Sequence, residues 1–279
     1  MNTSRVLEKR EQLLQYIGNY ERCLVAFSGG VDSSVVAKAA HLVLADRALA
    51  VTGKSPSLAA GELEQAIELA ELIGIQHEVV TTDEFDNPRY TRNDASRCYY
   101  CKSELYSLLD QLLDRVGFEV VFSGANIEDL SDYRPGLQAA REHDVCNPLA
   151  DCGFDKADVR GLASYWELPV WDKPAMPCLS SRVAYGEEVT PQRLAMIDQA
   201  EQILRAEGCS TVRVRYHRGD LARLEVSLEE LERLSQFPLR ETLVEQLTVI
   251  GFKFVTMDLA GFRSGSLNQL VAIELKDES

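Results

Sequence analysis

Two thiols three positions apart, Cys98 and Cys101 in SRCYYCKSE, and a third, Cys178, in the proline-flanked KPAMPCLSSR, are of a type and spacing to hold a metal or a sulfur atom. The pair opens a helical pattern, where the positive end of the peptide dipole lowers a thiol's pKa and favours the thiolate that ligation needs. Cys178 lies on a stretch whose non-helical backbone can turn a side chain toward a neighbouring site. Three thiolates can hold three irons of a 4Fe-4S cluster and leave the fourth open to a small anion such as hydrosulfide, an arrangement suited to sulfur delivery. Two other chemistries compete for the pair. A dithiol redox couple would also open a helix, but it would follow a strand of the βαβ pattern, which is missing here. A zinc site wants a fourth ligand, and His41, His77, His143 and His217 stand at no CxxC-like spacing to another candidate. Cys23, Cys146, Cys152 and Cys209 read as small buried residues, although CNPLADC leaves open a different trio drawn on Cys146 and Cys152.

A second cluster lies upstream. The apolar run RCLVAF ends in Ser28-Gly29-Gly30-Val31-Asp32-Ser33 and continues into VVAKAAHLVLA, which has helical spacing. Strand, glycine loop and helix N-terminus together aim several backbone N–H groups at one point, which attracts phosphate oxygens. The loop has no lysine of the GxxxxGKS/T kind, so it differs from the phosphate loops of kinases and GTPases. Ser28, Gly29, Gly30 and Ser33 are the candidate phosphate contacts, and Asp32 is a candidate Mg²⁺ ligand. The plainer alternative is a turn that only joins strand to helix.

These residues need a frame, and the periodicity supplies one. After RCLVAF the cycle repeats: ALAVTG reads as a buried strand, AAGELEQAIELAELIG as an amphipathic helix and HEVVTT as a strand. CKSELYSLLDQLLDRVG and then FEVVFSGAN follow in the same sense. Alternating strands and helices predict an α/β fold with a parallel sheet covered on both faces. Prolines accumulate from Pro148 to Pro177, and Thr190 and Pro191 then open a new helix. STVRVRYH and LARLEVS, joined by a turn at Gly219 and Asp220, predict a hairpin; SLEELERL and LRETLVEQLTVIG predict helices and FKFVTMDL a strand. We therefore expect residues 1–170 as the α/β domain, 171–189 as a proline-rich connection carrying Cys178, and 190–279 as a smaller α+β domain.

Further candidates follow from this frame. Arg213 and Arg215 in VRVRY leave one face of a strand and could grip the phosphate of a mononucleotide, the alternative being an ordinary solvated strand face. SGANIEDLSDYRPG follows a strand end, where ligands of open α/β sheets collect. There Glu128, Asp129 and Arg134 are candidates for Mg²⁺ or phosphate, against loop-stabilising ion pairs. Lys102 and Arg182, each beside a cysteine segment, could neutralise an anionic ligand. The net charge of −15 disfavours generic nucleic-acid binding but says nothing of a single pocket. The opening residues lack the apolar stretch of a signal peptide or membrane span, so a cytoplasmic protein is expected, with its thiols mostly reduced.

The loop SGGVDSS resembles the PP-loop of the ATP pyrophosphatases, which implies an adenine-nucleotide hydrolase sheet and cleavage of ATP between its α- and β-phosphates. With AVTGKSPS, SGANIEDLSDYRPGLQAA, NPLAD, KADVRGLA, WDKPAMPCLSSRVAYGE and GFRSGSLN, the sequence resembles the LarE family of ATP-dependent sulfur transferases from about Leu7 to about Leu270. Ser57 and Gly124, within those motifs, join the candidate nucleotide contacts. The resemblance implies sulfuration of pyridinium-3,5-biscarboxylic acid mononucleotide, a precursor of the nickel-pincer nucleotide of lactate racemase, and homo-oligomers. It also implies two kinds of member: one in which the cysteine at the place of Cys178 gives up its own sulfur and becomes dehydroalanine, and one in which that cysteine and a CxxC pair hold a cluster that relays external sulfide. CYYC assigns this chain to the second kind, served by sulfide or a sulfide-generating partner, with Cys178 as sacrificial donor the alternative. Rivals that share the loop are an amide-forming ligase and a tRNA thiolase, and from another class a nucleotide-binding iron–sulfur sensor without turnover.

Overall fold

Four strands make the sheet of the N-terminal region, β1 (Cys23–Ala26), β2 (Ala48–Lys54), β3 (Gln76–Thr81) and β4 (Val120–Phe122): β1, β2 and β4 are largely buried apolar runs, and β3 is a more exposed edge strand. They pair in the order β3-β2-β1-β4, all parallel, with Cys23 beside both Ala48 and Val120 and Leu49 beside Gln76. Alternate residues go to opposite faces. Cys23, Val25, Ala48, Ala50, Val120 and Phe122 meet the helices Val31–Leu44, Thr3–Ile17 and Lys156–Tyr165 in one apolar core. Leu24, Val51 and Val121 meet Tyr106, Leu109 and Leu112 of the helix Arg97–Val116, and Ala139 and Ala140 of Pro135–Glu142, in the other. A parallel sheet buried on both faces is the fold that the alternating pattern predicts.

The structure is a computed structural model that describes residues 3–130, 135–174, 176–263 and 267. The chain divides into two units, one of Met1–Ser55, Ala60–Glu84 and Cys98–Met176 and one of Pro56–Ala59, Phe85–Arg97 and Pro177–Ser279, so the backbone passes between them five times.

In the second unit β5 (Val212–His217) and β6 (Leu221–Val226) form the expected antiparallel hairpin, turned at Gly219 and Asp220, and β7 (Phe254–Met257) adds to β6 in parallel. The helix Pro191–Ala206 starts where the side chain of Thr190 accepts from the Arg193 N–H, with Pro191 at its first position. Ser227 and Glu230 close a reciprocal capping box on Leu228–Ser235. Leu194, Ile197, Ala200 and Leu204 bury one stripe of the long helix, and Val214, Tyr216, Leu224, Leu243, Leu247 and Phe252 are among the other buried apolar residues of this unit. Among the described residues no helix is long and apolar enough to cross a membrane.

Candidate functional site

The strand order places a reversal between β1 and β4: the chain leaves β1 toward β2 and β3 on one side and returns to β4 on the other. At such a switch point the two carboxyl-end loops diverge and open a crevice for a ligand. Ser28–Ser33 is one of those loops and Ser123–Asn126 the other. In the first, Ser28 Oγ stands 3.2 Å from Ser33 Oγ and accepts from the Gly30 N–H at 3.3 Å, while Ser33 Oγ and Ser34 Oγ donate to the Gly30 carbonyl at 3.1 and 2.8 Å. Gly29 holds φ at +69°, and a Cβ there would lie 3.2 Å from Ala66, so the turn requires glycine twice over. The helix Val31–Leu44 begins at Gly30 with no side-chain cap on its first turn, leaving N–H groups for an anion.

The second loop closes on the first. A Cβ on Gly124 would lie 2.7 Å from the Ser33 nitrogen and 3.0 Å from the Asp32 carbonyl carbon, so only glycine lets the two loops approach this closely. Asn126, buried and not foreseen from the sequence, donates through Nδ2 to Asp32 Oδ1 at 2.8 Å and accepts the Glu128 N–H at 3.0 Å. Its signal was a local one, an asparagine just ahead of the short helix Ile127–Leu130 with acids in the first turn. Burial pushes the Asp32 carboxyl above the ordinary range, opposed by the Asn126 bond. A carboxylate beside uncapped N–H groups, with a second loop that glycine alone lets approach, matches the needs of a nucleotide phosphate with its divalent cation.

The remaining candidates of this unit divide. Glu128 accepts the Lys156 N–H at 3.1 Å and pairs with Lys156 Nζ at 3.2 Å, the ion-pair alternative; Asp129 Oδ2 accepts the Asn126 N–H at 3.3 Å. Lys102 Nζ lies 5.7 Å over the Tyr106 ring. Arg134 falls outside the described residues. Cys98 and Cys101 occupy the first turns of the helix Arg97–Val116, spaced i and i+3 and therefore on one side of it, Cys98 exposed and Cys101 half-buried. Two accessible thiols on one helix side are a donor pair of the kind an iron–sulfur cluster takes. Burial raises the thiol pKa of Cys23 to about 12 and also raises those of Cys152 and Cys209, which suits inert packing rather than ligation. Among the described residues no group of three or more His, Cys, Asp or Glu is arranged to hold a metal ion.

In the second unit Cys178 is exposed at the head of the short turn Leu179–Arg182. The basic residues around that turn are not on a solvated face. Arg213 and Arg215 are both buried, which overturns the plain solvated-strand alternative. Arg215 is committed: Nε and Nη2 donate to Glu225 Oε2 at 2.9 and 2.8 Å and Nη1 to the Ser181 carbonyl at 3.1 Å. Arg213 donates to the Val212 carbonyl at 2.8 Å and lies 5.5 Å over Phe262, and burial together with the nearby Arg182 charge pushes its pKa down to about 10. Arg182, expected beside an anionic ligand, is instead fully buried and paired to Glu201 at 3.0 Å. Ser57, expected at the nucleotide, is buried in the second unit, where its hydroxyl forms a triangle with Tyr90 Oη (2.6 Å) and Ser180 Oγ (2.9 Å) that the Tyr90–Ser180 contact (2.7 Å) closes.

Residues 6–94 match the NAD synthase family. An uncharacterized protein of Synechocystis is 47% identical over 94% of this chain and 98% of its own length. The pyridinium-3,5-bisthiocarboxylic acid mononucleotide synthase of Lactiplantibacillus plantarum is 37% identical over 93% of this chain and 94% of its own. The chain belongs to the LarE family. It is thereby an ATP-dependent sulfur transferase of the PP-loop group. A glutamine-hydrolysing GMP synthase polypeptide of Pyrococcus horikoshii is 25% identical over 72% of the LarE-family chain and 69% of its own, a more distant likeness.

Proposed function

We propose that this enzyme works in the cytoplasm on pyridinium-3,5-biscarboxylic acid mononucleotide, adenylating a carboxylate and converting it to a thiocarboxylate on the way to the nickel-pincer nucleotide of lactate racemase. The observation that carries the reading is the convergence, at the switch point of the sheet, of an uncapped helix start, Asp32 and the close approach at Gly124. A substrate carboxylate oxygen attacks the α-phosphorus of ATP. The bond to the bridging oxygen breaks, and pyrophosphate leaves with the electron pair, its charge met by N–H groups of Gly29, Gly30 and Ser33 and by the Ser28 hydroxyl. Asp32, with Asp129 nearby, would hold Mg²⁺, which when bound would neutralise phosphate charge. Hydrosulfide then adds to the acyl carbon, AMP departs with the electron pair, and a proton is released. Holding reactants side by side is where the rate gain lies, about 7 to 11 kcal/mol for well-oriented groups.

Cys98, Cys101 and Cys178 are the thiolates that would hold a 4Fe-4S cluster, which when bound supplies an iron position open to external sulfide. Lys102 balances negative charge beside the pair, Arg213 takes the mononucleotide phosphate, and Arg215 holds Arg213's strand to Glu225. Sulfide or a sulfide-generating partner supplies the sulfur, and the working form is a homo-oligomer. Protein purified without oxygen is expected to carry about four irons with labile sulfide. It should release pyrophosphate only with the mononucleotide present, and Cys98→Ala and Cys178→Ala should lose both iron and sulfur transfer. An active chain without iron that emerges lighter by one H₂S would replace the relay with sacrifice of the Cys178 sulfur. No pyrophosphate release on adding the mononucleotide and sulfide would sink the enzymatic reading in favour of a sensor. Release with ammonia but not with sulfide would mark an amide ligase.

The pH dependence follows from Asp32. Its carboxyl sits above the ordinary range because burial penalises the charged form, and the Asn126 bond is the chief opposing contribution. The sign for stability is that the charged form costs the fold increasingly as pH rises through the unfolded pKa toward the folded one. For activity the carboxylate must be ionised to meet Mg²⁺. Asn126→Ala removes the opposing bond, of order 1.5 to 3 kcal/mol for a charged acceptor. The acid limb of pyrophosphate release is therefore expected to move up by about one pH unit, and an unshifted limb would remove Asp32 from the metal site.

A further inference from the structure

An exposed thiol is aimed by the two peptide planes that flank its Cα, because they fix φ and ψ and hence the direction of the Cα–Cβ bond. At Cys178 both planes are held by one side chain. Arg182 Nη1 donates to the carbonyl of Pro177, in the plane before Cys178, and to the carbonyl of Cys178 itself, in the plane after it, the latter at 2.9 Å. The Cys178 carbonyl also accepts from Ser181 Oγ at 2.7 Å and from the Ser181 N–H at 3.0 Å, and Arg182 Nη1 reaches Ser181 Oγ at 3.2 Å. The resulting backbone at Cys178 has φ −57° and ψ 157°.

The guanidinium is itself fixed from behind. Glu201 Oε1 accepts from Arg182 Nε at 3.0 Å and from the Val214 N–H of β5 at 3.1 Å, and Glu201 Oε2 accepts from Arg205 Nη2 at 2.9 Å. Both members of the Arg182–Glu201 pair are buried, so the fork has one orientation, set by the helix Pro191–Ala206 and by β5. A planar fork that donates in two directions at once does this in a way that a lysine ammonium cannot.

We propose that Arg182 is a positioning residue for Cys178, gripping the peptide planes on either side of its Cα so that the Cα–Cβ bond carrying the exposed thiol points in one direction. The proposal rests on Cys178 being the thiol that handles sulfur, but its test does not. Labelling the full-length protein, freed of iron and with its thiols reduced, with 3-bromo-1,1,1-trifluoroacetone and recording ¹⁹F spectra assigns the Cys178 line by its loss in Cys178→Ala. In the wild type that line is expected to be single and sharp. In Arg182→Lys it should split or broaden while the Cys98 line stays put, and sulfur transfer should fall roughly tenfold or more with the KM for ATP unchanged. Ser181→Ala, a change at a partly exposed position, removes one donor to the Cys178 carbonyl and should shift or broaden the same line to a smaller degree.

An Arg182→Lys protein that melts near the wild-type temperature and keeps the Cys178 line unmoved overturns the proposal. If Arg182→Lys does not fold, Ser181→Ala decides, and an unmoved line there overturns it as well. Full sulfur transfer by Cys178→Ala would instead defeat the role given to the thiol, leaving the spectra to judge the grip alone.

Discussion

Gly124→Ala should leave a folded protein that releases pyrophosphate about a hundredfold more slowly than the wild type. The added carbon would sit 2.7 Å from the Ser33 nitrogen, 3.0 Å from the Asp32 carbonyl carbon and 3.1 Å from the Ser33 Cα. All three are backbone atoms, so no side chain can swing aside. Either the loop after β4 or the first turn of the helix Val31–Leu44 must retreat, and with it the N–H groups that meet the phosphates. A displacement of about 1 Å in such an array is enough for a hundredfold loss, whereas overpacking of this kind costs about 1 to 3 kcal/mol of stability, which a protein of this size survives. Circular dichroism at the assay temperature alongside pyrophosphate release separates the two. Turnover within a factor of three of wild type would show that the close approach does not shape the nucleotide cleft.

The largest loss of stability is expected from Glu201→Ala, about 3 to 5 kcal/mol. Its carboxylate has 0% side-chain exposure and is the meeting point of Arg182, Arg205 and the Val214 N–H. Removing it leaves the Arg182 guanidinium, 1% exposed, without its ion-pair partner and strips β5 of an acceptor. The sheet and the Cys178 turn lose a common anchor in the same step. Glu201→Gln keeps an oxygen for one of these donors but turns an amide toward the others, and it should fall between wild type and alanine. Urea unfolding of the full chain measures both, and a midpoint for Glu201→Ala equal to that of wild type would mean that water replaces the pair without loss.

The frame was legible in the sequence because it depends on local pattern. CLVA is a continuous apolar strand because both its faces are covered, and the glycines after it announce a turn with an open helix start. Thr190 and Pro191 likewise mark a helix start with their own chemistry. What the sequence hides is pairing between distant positions. VRVRY has the period of a half-solvated strand, and nothing local shows that Glu225 on the next strand and Glu201 on a preceding helix draw its surroundings inward. Glu201 itself lies among the polar residues of an amphipathic helix, where an acid is ordinarily solvated. Ser57 follows β2 as a nucleotide contact would, yet its hydroxyl partners come from positions 90 and 180. Asn126 was within reach, since its cap role is local, but its bond to Asp32 spans 94 positions.

The second unit is assembled from three stretches of chain, and two of them, Pro56–Ala59 and Phe85–Arg97, the latter with the helical turn Pro88–Thr91, interrupt the sequence of the first unit. They bring the Ser57 and Tyr90 hydroxyls to Ser180 and the Arg97 guanidinium to the Ser180 carbonyl. A gene cut at residue 177 would therefore yield a C-terminal product lacking the donors that seat its own leading turn. Evolution cannot shuffle these halves as cassettes; any recombinant has to inherit the interleaved pieces together.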